Sequence, residues 1–333
     1  MSHQALVAEK GESFEILDGE TILEAARRSS IHIAHQCEIG VCATCRIKLS
    51  QGSVSYLEPV DTLTSEEIDS GYVLACRAHA KSDLIFHSER RLPICSEPER
   101  LLASILEINL ITPDVYRVVL DLGKLSNVIF RPGQYANILI DDNIYRSFSI
   151  ASQLGHGQFE FLIKKIPEGI FTDQFLGQAQ VGNQLKIEMP FGTFAYHADD
   201  YKPLIFAATG TGISPIKCIL NSLMSDEDCP PIRVYWGVRT EEDLFLSQEI
   251  AFWSEHFDDF EWIPILSKPS KNWTGRVGYV QNAVLDDFSD LSEFAIYLCG
   301  SPNMIRDATA AFCKANANLS QLYVDAFNFQ KER

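Results

Sequence analysis

The sequence predicts a chain of three modules mixing α+β and α/β architecture, and three observations carry that expectation. A cysteine-rich loop sits among short strands and helices near the start. Five strand-like runs with turn signals and no intervening helix follow, the pattern of an antiparallel barrel. The last 130 or so residues then alternate apolar strands with helical stretches, which implies a parallel sheet covered by helices. At 333 residues the chain is long enough for two to three cores.

The first module, residues 1–93, opens with alternating runs at Gln4–Glu9 and Ser13–Leu17 that read as a hairpin. Thr21-Ile22-Leu23-Glu24 has the form of a capping box, with a helix running to about Arg28. Thr64-Ser65-Glu66-Glu67 repeats that signal before a short helix closed by Gly71, and an apolar strand Tyr72–Ala75 leads into Cys76. Between these elements lie Cys37, Cys42 and Cys45, spaced C-x4-C-x2-C, with Cys76 as a distant fourth. That is the ligand spacing of a plant-type 2Fe–2S cluster. Gly40 suits the tight loop because it reaches positive φ without a Cβ penalty. A zinc site would more usually show two C-x2-C pairs, and a disulfide pair fits poorly without a secretory signal.

Residues 94–100, Ile94-Cys95-Ser96-Glu97-Pro98-Glu99-Arg100, read as a linker. The second module, 101–199, is expected to hold strands at Leu101–Asn109, Val115–Leu120, Tyr135–Ile140, Ile144–Ile150 and Gln158–Lys164. Pro132-Gly133, Asp141-Asp142-Asn143 and Gly155-His156-Gly157 mark turns between them. Arg146-Ser147-Phe148-Ser149 puts Arg146 and Phe148 on one face of a strand and the serines on the other. A guanidinium and an aromatic ring on one face suit a phosphate and a stacked ring, and equally suit a half-exposed edge strand.

The third module, 200–333, has expected strands at Leu204–Ala208, Ile232–Trp236, Glu261–Leu266 and Phe294–Cys299. Expected helices span Ser214–Met224, Leu244–Trp253, Val277–Leu285 and Pro302–Lys314. Thr209-Gly210-Thr211-Gly212-Ile213-Ser214-Pro215 follows the first strand, with Ser214 as expected N-cap and Pro215 at the first helical position. Bare amides at the carboxyl end of a strand make a site for a pyrophosphate, or simply a structural turn.

Together these motifs resemble known families. The elements around the four cysteines are similar to the β-grasp ferredoxins over about 90 residues. Arg146-x-Phe148-Ser149, Pro132-Gly133-Gln134-Tyr135, Gly169-Ile170-Phe171-Thr172 and Phe191-Gly192-Thr193-Phe194 resemble the FAD barrel of the ferredoxin–NADP reductase superfamily. Gly210-Thr211-Gly212-x-x-Pro215, Tyr235-Trp236-Gly237-Val238-Arg239 and Cys299-Gly300-Ser301-Pro302-Asn303-Met304 resemble its nicotinamide-binding half. The resemblance implies an FAD set of Arg146, Ser147, Phe148, Ser149, Lys164, Gly169, Phe171 and Thr172. It implies an NAD(P)H set of Thr209, Gly210, Thr211, Gly212, Pro215, Arg239, Cys299, Gly300 and Met304. Ser149, Cys299, Asp325 and Phe327 are expected at the transfer site, Phe327 covering the flavin face or, equally, closing the core behind the last strand. Phe148 stands where the family has Tyr, as in reductases that hold flavin loosely.

The resemblance further implies an NAD(P)H-dependent oxidoreductase passing electrons through FAD and the cluster to a protein acceptor. Reductases of ring- and alkane-hydroxylating oxygenases and of CDP-6-deoxy-4-hexulose 3-dehydrase share this layout. Trp273-Thr274-Gly275-Arg276-Val277-Gly278-Tyr279-Val280 and Asp325-Ala326-Phe327 favour the sugar-dehydrase reductase branch and its flavin-reductase relatives. The alternative is an NAD(P)H:flavin reductase acting on free flavin, its cluster accessory. Arg239 could grip a 2′-phosphate, but Glu241, Glu242 and Asp243 beside it oppose that charge, so NADH is the expected coenzyme and NADPH the alternative.

The net charge of −17 divides as −5 over residues 1–93 (14 acids, 9 Lys+Arg) and −12 over the remainder. Spread acidity argues against nucleic acid and anionic membrane as partners. No apolar run approaches a membrane span, and no export signal opens the chain. The five cysteines outside the cluster set, Cys95, Cys218, Cys229, Cys299 and Cys313, are scattered and odd in number, which suits a reducing cytoplasm. A monomer is expected.

Overall fold

The computed structural model describes residues 2–35, 38–41, 43–60, 62–88, 98–123, 129–140, 144–226 and 228–327. Cys37, Cys42, the Asp141-Asp142-Asn143 turn, Cys95 and linker residues 94–97 lie outside them.

The first module comprises β1 (His3–Val7), β2 (Glu12–Ile16), α1 (Ile22–Arg28), β3 (Arg46–Gln51), β4 (Val54–Ser55), α2 (Ser65–Asp69), β5 (Tyr72–Leu74), β6 (His79–Ala80) and β7 (Leu84–Ser88). Its main sheet runs β2-β1-β7-β3-β5, with β1 and β7 parallel and the other pairs antiparallel. Both capping boxes form: Thr21 and Thr64 each accept from the third helical amide, while Glu24 and Glu67 reach back to the cap nitrogens. Alternation fixes the inward faces. Ala5 and Val7 on β1 and Phe14 and Ile16 on β2 pack against α1 residues Ile22, Leu23, Ala25 and Ala26.

The second module is a closed six-stranded barrel, in the order β10-β11-β12-β9-β8-β13. Its strands are β8 (Glu99–Thr112), β9 (Val115–Asp121), β10 (Tyr135–Leu139), β11 (Tyr145–Gly155), β12 (Gln158–Lys164) and β13 (Gln184–Phe191). Two strands are longer than expected. Register shifts at Ile105/Glu107 and Leu110/Thr112 in β8, and past Ile150 in β11, break the alternation that marks a strand in sequence. The sixth strand, β13, escapes the sequence reading although Leu185, Ile187 and Met189 are buried at every second position.

The third module is a six-stranded parallel sheet, ordered β17-β16-β15-β14-β18-β19. It comprises β14 (Leu204–Thr209), α3 (Ile213–Leu223), β15 (Ile232–Val238), α4 (Ser247–His256), β16 (Phe260–Leu266), β17 (Arg276–Val277), α5 (Val280–Asp287), β18 (Ala295–Gly300), α6 (Pro302–Lys314) and β19 (Leu322–Ala326). From β14 the chain winds outward through β15, β16 and β17, then crosses back to β18, so strand order reverses between β14 and β18. Ligands of open α/β sheets bind outside the carboxyl ends at such a reversal.

Three helix starts differ from expectation. The Gly210–Gly212 segment forms a 3-10 turn running straight into α3, so Gly212 occupies the cap position and Pro215 is the third helical residue. Ser214 is therefore no N-cap; its Oγ donates to Thr211 O at 2.7 Å. A 3-10 turn at Glu241–Asp243 delays α4, and pairing of Arg276–Val277 with β16 delays α5. The predicted limits of α6 match. No helix among the described residues is long and apolar enough to cross a membrane.

Candidate functional site

The cysteine loop is shaped by left-handed backbone. Glu38, Gly40 and Ala43 have φ of 55°, 82° and 53°, and a Cβ on Gly40 would stand 2.9 Å from Arg77 Cγ. Thr62 Oγ1 donates to Gly40 O at 2.5 Å. Cys45 and Cys76, both buried, bring their Sγ atoms to 3.2 Å without a covalent bond. Thr44, buried next to Cys45 in the chain, has no hydrogen-bond partner for its Oγ1 among the described residues.

In the barrel, β11 carries the Arg-x-Phe-Ser stretch past the short helical turn Ile170–Phe175. Phe148 meets Phe171 with ring centroids 5.4 Å apart, and Phe171 stacks on Phe175 at 5.5 Å. Arg146 Nη1 donates to Tyr145 O at 2.9 Å, and Ser147 Oγ donates to Asn137 Oδ1 at 2.7 Å. Gly169 begins the helical turn, and Thr172 Oγ1 accepts from Ile166 N at 3.1 Å. Lys164, at the end of β12, pairs with Asp114 at 3.0 Å.

At the carboxyl ends of the parallel strands, the Thr209–Gly212 turn packs against β18. A Cβ on Gly212 would lie 2.5 Å from Cys299 O, so only glycine permits that approach. Gly210 faces open space, and its carbonyl accepts from Trp236 Nε1 at 2.8 Å, which pins the turn. Thr211 is buried in the same turn. Gly300 O accepts from Phe327 N at 2.8 Å, placing half-buried Phe327 beside the end of β18. Met304 belongs to the core under α6, its amide donating to the Ser301 cap at 3.3 Å.

Three of the four predicted transfer-site residues converge. Ser149 Oγ donates to Asp325 Oδ2 at 2.8 Å, and Cys299 Sγ lies 3.8 Å from the same oxygen. All three are buried. Burial foremost, and then the Asp325 carboxylate, push the Cys299 thiol well above its usual range.

Tyr135, which the sequence reading left without a role, completes the arrangement. It pairs with Ser149 across β10 and β11 and stacks on Phe191 with ring centroids 5.6 Å apart, and its phenol is pushed up by burial first and then by the charges of Asp325 and Glu38. Glu38 in turn accepts from Arg27 Nη2 at 2.6 Å. Val41 of the loop packs against the parallel-sheet core, and Leu319 packs against the first module's core. The first and third modules thus pack on each other, and the Ser149–Asp325 bond ties the second to the third. A separate cavity of about 580 Å³ opens beside Arg117, Glu160, Lys217 and Asn221 and includes none of these site residues.

Comparison with known proteins accounts for all three modules. Residues 6–81 match a 2Fe–2S iron–sulfur cluster binding domain, 103–196 an oxidoreductase FAD-binding domain and 206–310 an oxidoreductase NAD-binding domain. Protein RfbI of Salmonella typhimurium is 31% identical over 98% of this chain and 97% of its own length. The chain belongs to the 2Fe–2S flavoprotein reductases of the ferredoxin–NADP reductase superfamily. The reductase is likewise 31% identical to the CDP-6-deoxy-L-threo-D-glycero-4-hexulose-3-dehydrase reductase of Yersinia pestis, over 92% of this chain and 93% of that one. It is 32% identical to the anthranilate 1,2-dioxygenase electron transfer component of Acinetobacter baylyi, over 92% and 91%. The cytochrome P450 reductase GcoB of Amycolatopsis superposes with a TM-score of 0.71 at 26% identity, covering 98% of both chains.

The reductase is therefore an NAD(P)H-dependent oxidoreductase that uses a 2Fe–2S cluster and FAD. Its own atoms fit those groups. The convergent thiols of Cys45 and Cys76 suit a cluster's iron, and the unpartnered buried hydroxyl of Thr44 in the same loop suits an acceptor sulfide. The guanidinium of Arg146, exposed Ser147 and the Phe148–Phe171 ring pair supply cationic, hydroxyl and aromatic faces for a flavin nucleotide. Gly210 leaves room for a phosphate at the sheet's strand reversal.

Sequence reasoning missed Tyr135, Thr44 and Asp114. The first two stood inside motifs already singled out, whereas Asp114 looks like any turn aspartate.

Proposed function

We propose that the reductase takes electrons from NADH and delivers them singly, through the cluster, to a separate protein: an oxygenase component or a CDP-sugar dehydrase. The carrying observation is the convergence of Ser149 and Cys299 on Asp325, which joins the barrel to the parallel sheet, with Val41 of the cysteine loop packed against that sheet's core. The names of the Yersinia and Acinetobacter relatives support the two acceptor classes.

Bound FAD supplies the exchange between a hydride donor and a one-electron carrier. The protein's residues orient and exclude. Asp325 fixes the direction of the Ser149 hydroxyl, keeping a proton at Oγ on that side. Cys299 remains a neutral thiol. Phe327 shields the face where the nicotinamide arrives. Hydride transfer needs no general base, and none of these groups has to act as one.

In this reading Cys37, Cys42, Cys45 and Cys76 hold the cluster. Arg146, Ser147, Phe148, Ser149, Lys164, Gly169, Phe171 and Thr172 hold FAD. Thr209, Gly210, Thr211, Gly212, Pro215, Arg239, Cys299 and Gly300 bind the nicotinamide nucleotide, while Met304, expected among them, packs in the core under α6. The modules divide as 1–93, 101–199 and 200–333 with 94–100 joining the first two, save that Glu99 and Arg100 of that linker already pair with β13 in the barrel, and the protein works as a cytoplasmic monomer.

Anaerobic reductive titration tests this directly. Uptake of about three electrons per chain, two at the flavin and one at the cluster, is the expected result. Uptake of about two, with no cluster absorbance, would defeat it.

A further inference from the structure

The acids expected to oppose a 2′-phosphate at Arg239 are in part engaged elsewhere. Glu241 accepts from Ser270 Oγ at 2.5 Å and from its amide at 3.1 Å, and Asp243 accepts from Thr240 N at 3.0 Å. The carboxylate that reaches Arg239 comes from another module. Asp114, in the turn between β8 and β9 of the barrel, places Oδ2 3.7 Å from Arg239 Nη2 and 3.0 Å from Lys164 Nζ. Its backbone is held on both sides, since Asp114 N donates to Thr112 Oγ1 at 3.3 Å and Lys165 N donates to Asp114 O at 2.7 Å.

Arg239 occupies the place where coenzymes are told apart. Thr209 pairs with Gly237 across β14 and β15, so Arg239, just past the end of the neighbouring strand, lies two residues beyond the level of Thr209. The ribose of a dinucleotide is read at that kind of position, by a carboxylate for a 2′-hydroxyl or by an arginine for a 2′-phosphate. With 61% of its side chain exposed, Arg239 is open to an incoming anion. A fixed carboxylate beside it competes for the guanidinium and repels a dianionic phosphate.

We propose that Asp114 is the residue that sets coenzyme preference: supplied by the flavin barrel, it occupies Arg239 and Lys164 and turns away the 2′-phosphate of NADPH. The choice is thereby made across the junction of two modules. This inference rests on the reading that the reductase prefers NADH.

The test compares wild type, Asp114→Asn, Asp114→Glu and the double variant Asp114→Asn with Arg239→Leu, each loaded with FAD and cluster. Calorimetry reads the affinity for 2′,5′-ADP, and ferricyanide reduction reads kcat/KM for NADPH relative to NADH. Asp114→Asn should tighten 2′,5′-ADP and raise the NADPH/NADH ratio, each about tenfold. Asp114→Glu should keep the wild-type ratio and confirm that charge is what matters, and adding Arg239→Leu should erase the gain. If wild type favours NADH while Asp114→Asn binds 2′,5′-ADP no tighter, the inference fails alone. If wild type favours NADPH, the underlying reading fails with it.

Discussion

Ser149 Oγ donates to Asp325 Oδ2 at 2.8 Å, joining a barrel strand to the last strand of the parallel sheet across 176 residues. The bond ties the predicted flavin side of the reductase to its nicotinamide side at a buried point. Ser149→Ala removes one partner of a buried carboxylate, which costs about 1–3 kcal/mol of stability. It should also slow NADH-dependent flavin bleaching about tenfold or more. Urea unfolding and stopped-flow absorbance read the two effects, and an unchanged bleaching rate would remove Ser149 from the transfer site.

Buried thiols give the reductase an alkaline limit. Burial pushes Cys218 up to about 12, and Cys229 and Cys313 to about 11. Each raised group favours the neutral thiol in the folded state. Its contribution to stability is whole below the unfolded thiol value of about 8.5 and is lost as pH climbs toward the folded values. Tm should therefore decline steadily between about pH 9 and 11, less steeply in Cys218→Ala. Cys299, raised by burial and Asp325, should resist thiol reagents at pH 8 in the native protein.

Lys217 on α3 is nearly buried between Glu160 of the barrel at 3.0 Å and Glu249 of α4 at 2.7 Å. Glu160 also binds Arg117 at 2.6 Å. Removing one member leaves buried charge poorly compensated, so Lys217→Met should cost about 3–5 kcal/mol. Adding Glu160→Gln should restore much of that loss. A double-mutant cycle by chemical denaturation reads the coupling, and strictly additive losses would contradict it.

Gly212→Ala tests the approach between phosphate turn and β18. The new Cβ would meet Cys299 O at 2.5 Å, and either the turn or the strand end must move. KM for NADH should rise about tenfold or more while FAD content stays at the wild-type level. Loss of both together would point instead to general misfolding.

Much of this was legible in local chemistry. The two Thr-x-x-Glu boxes, the Ser301-Pro302 start of α6 and the C-x4-C-x2-C spacing each depend on residues within a turn or two of one another. What escaped depends on distance. Bulges hid the true lengths of β8 and β11, and a 3-10 turn displaced Ser214 from the cap it was expected to fill. The Asp114–Arg239 contact and the Ser149–Asp325 bond exist only once separate modules are folded together. The β13 alternation at Leu185, Ile187 and Met189 was readable, but Pro190 cuts it short.

The most direct measurement is cytochrome c reduction by Cys76→Ser loaded with FAD. If electrons leave through the cluster, NADH should still bleach the flavin and reduce ferricyanide, while cytochrome c reduction falls about twentyfold or more. Cytochrome c reduction at the wild-type rate would contradict the account and make the protein a flavin reductase with an accessory cluster.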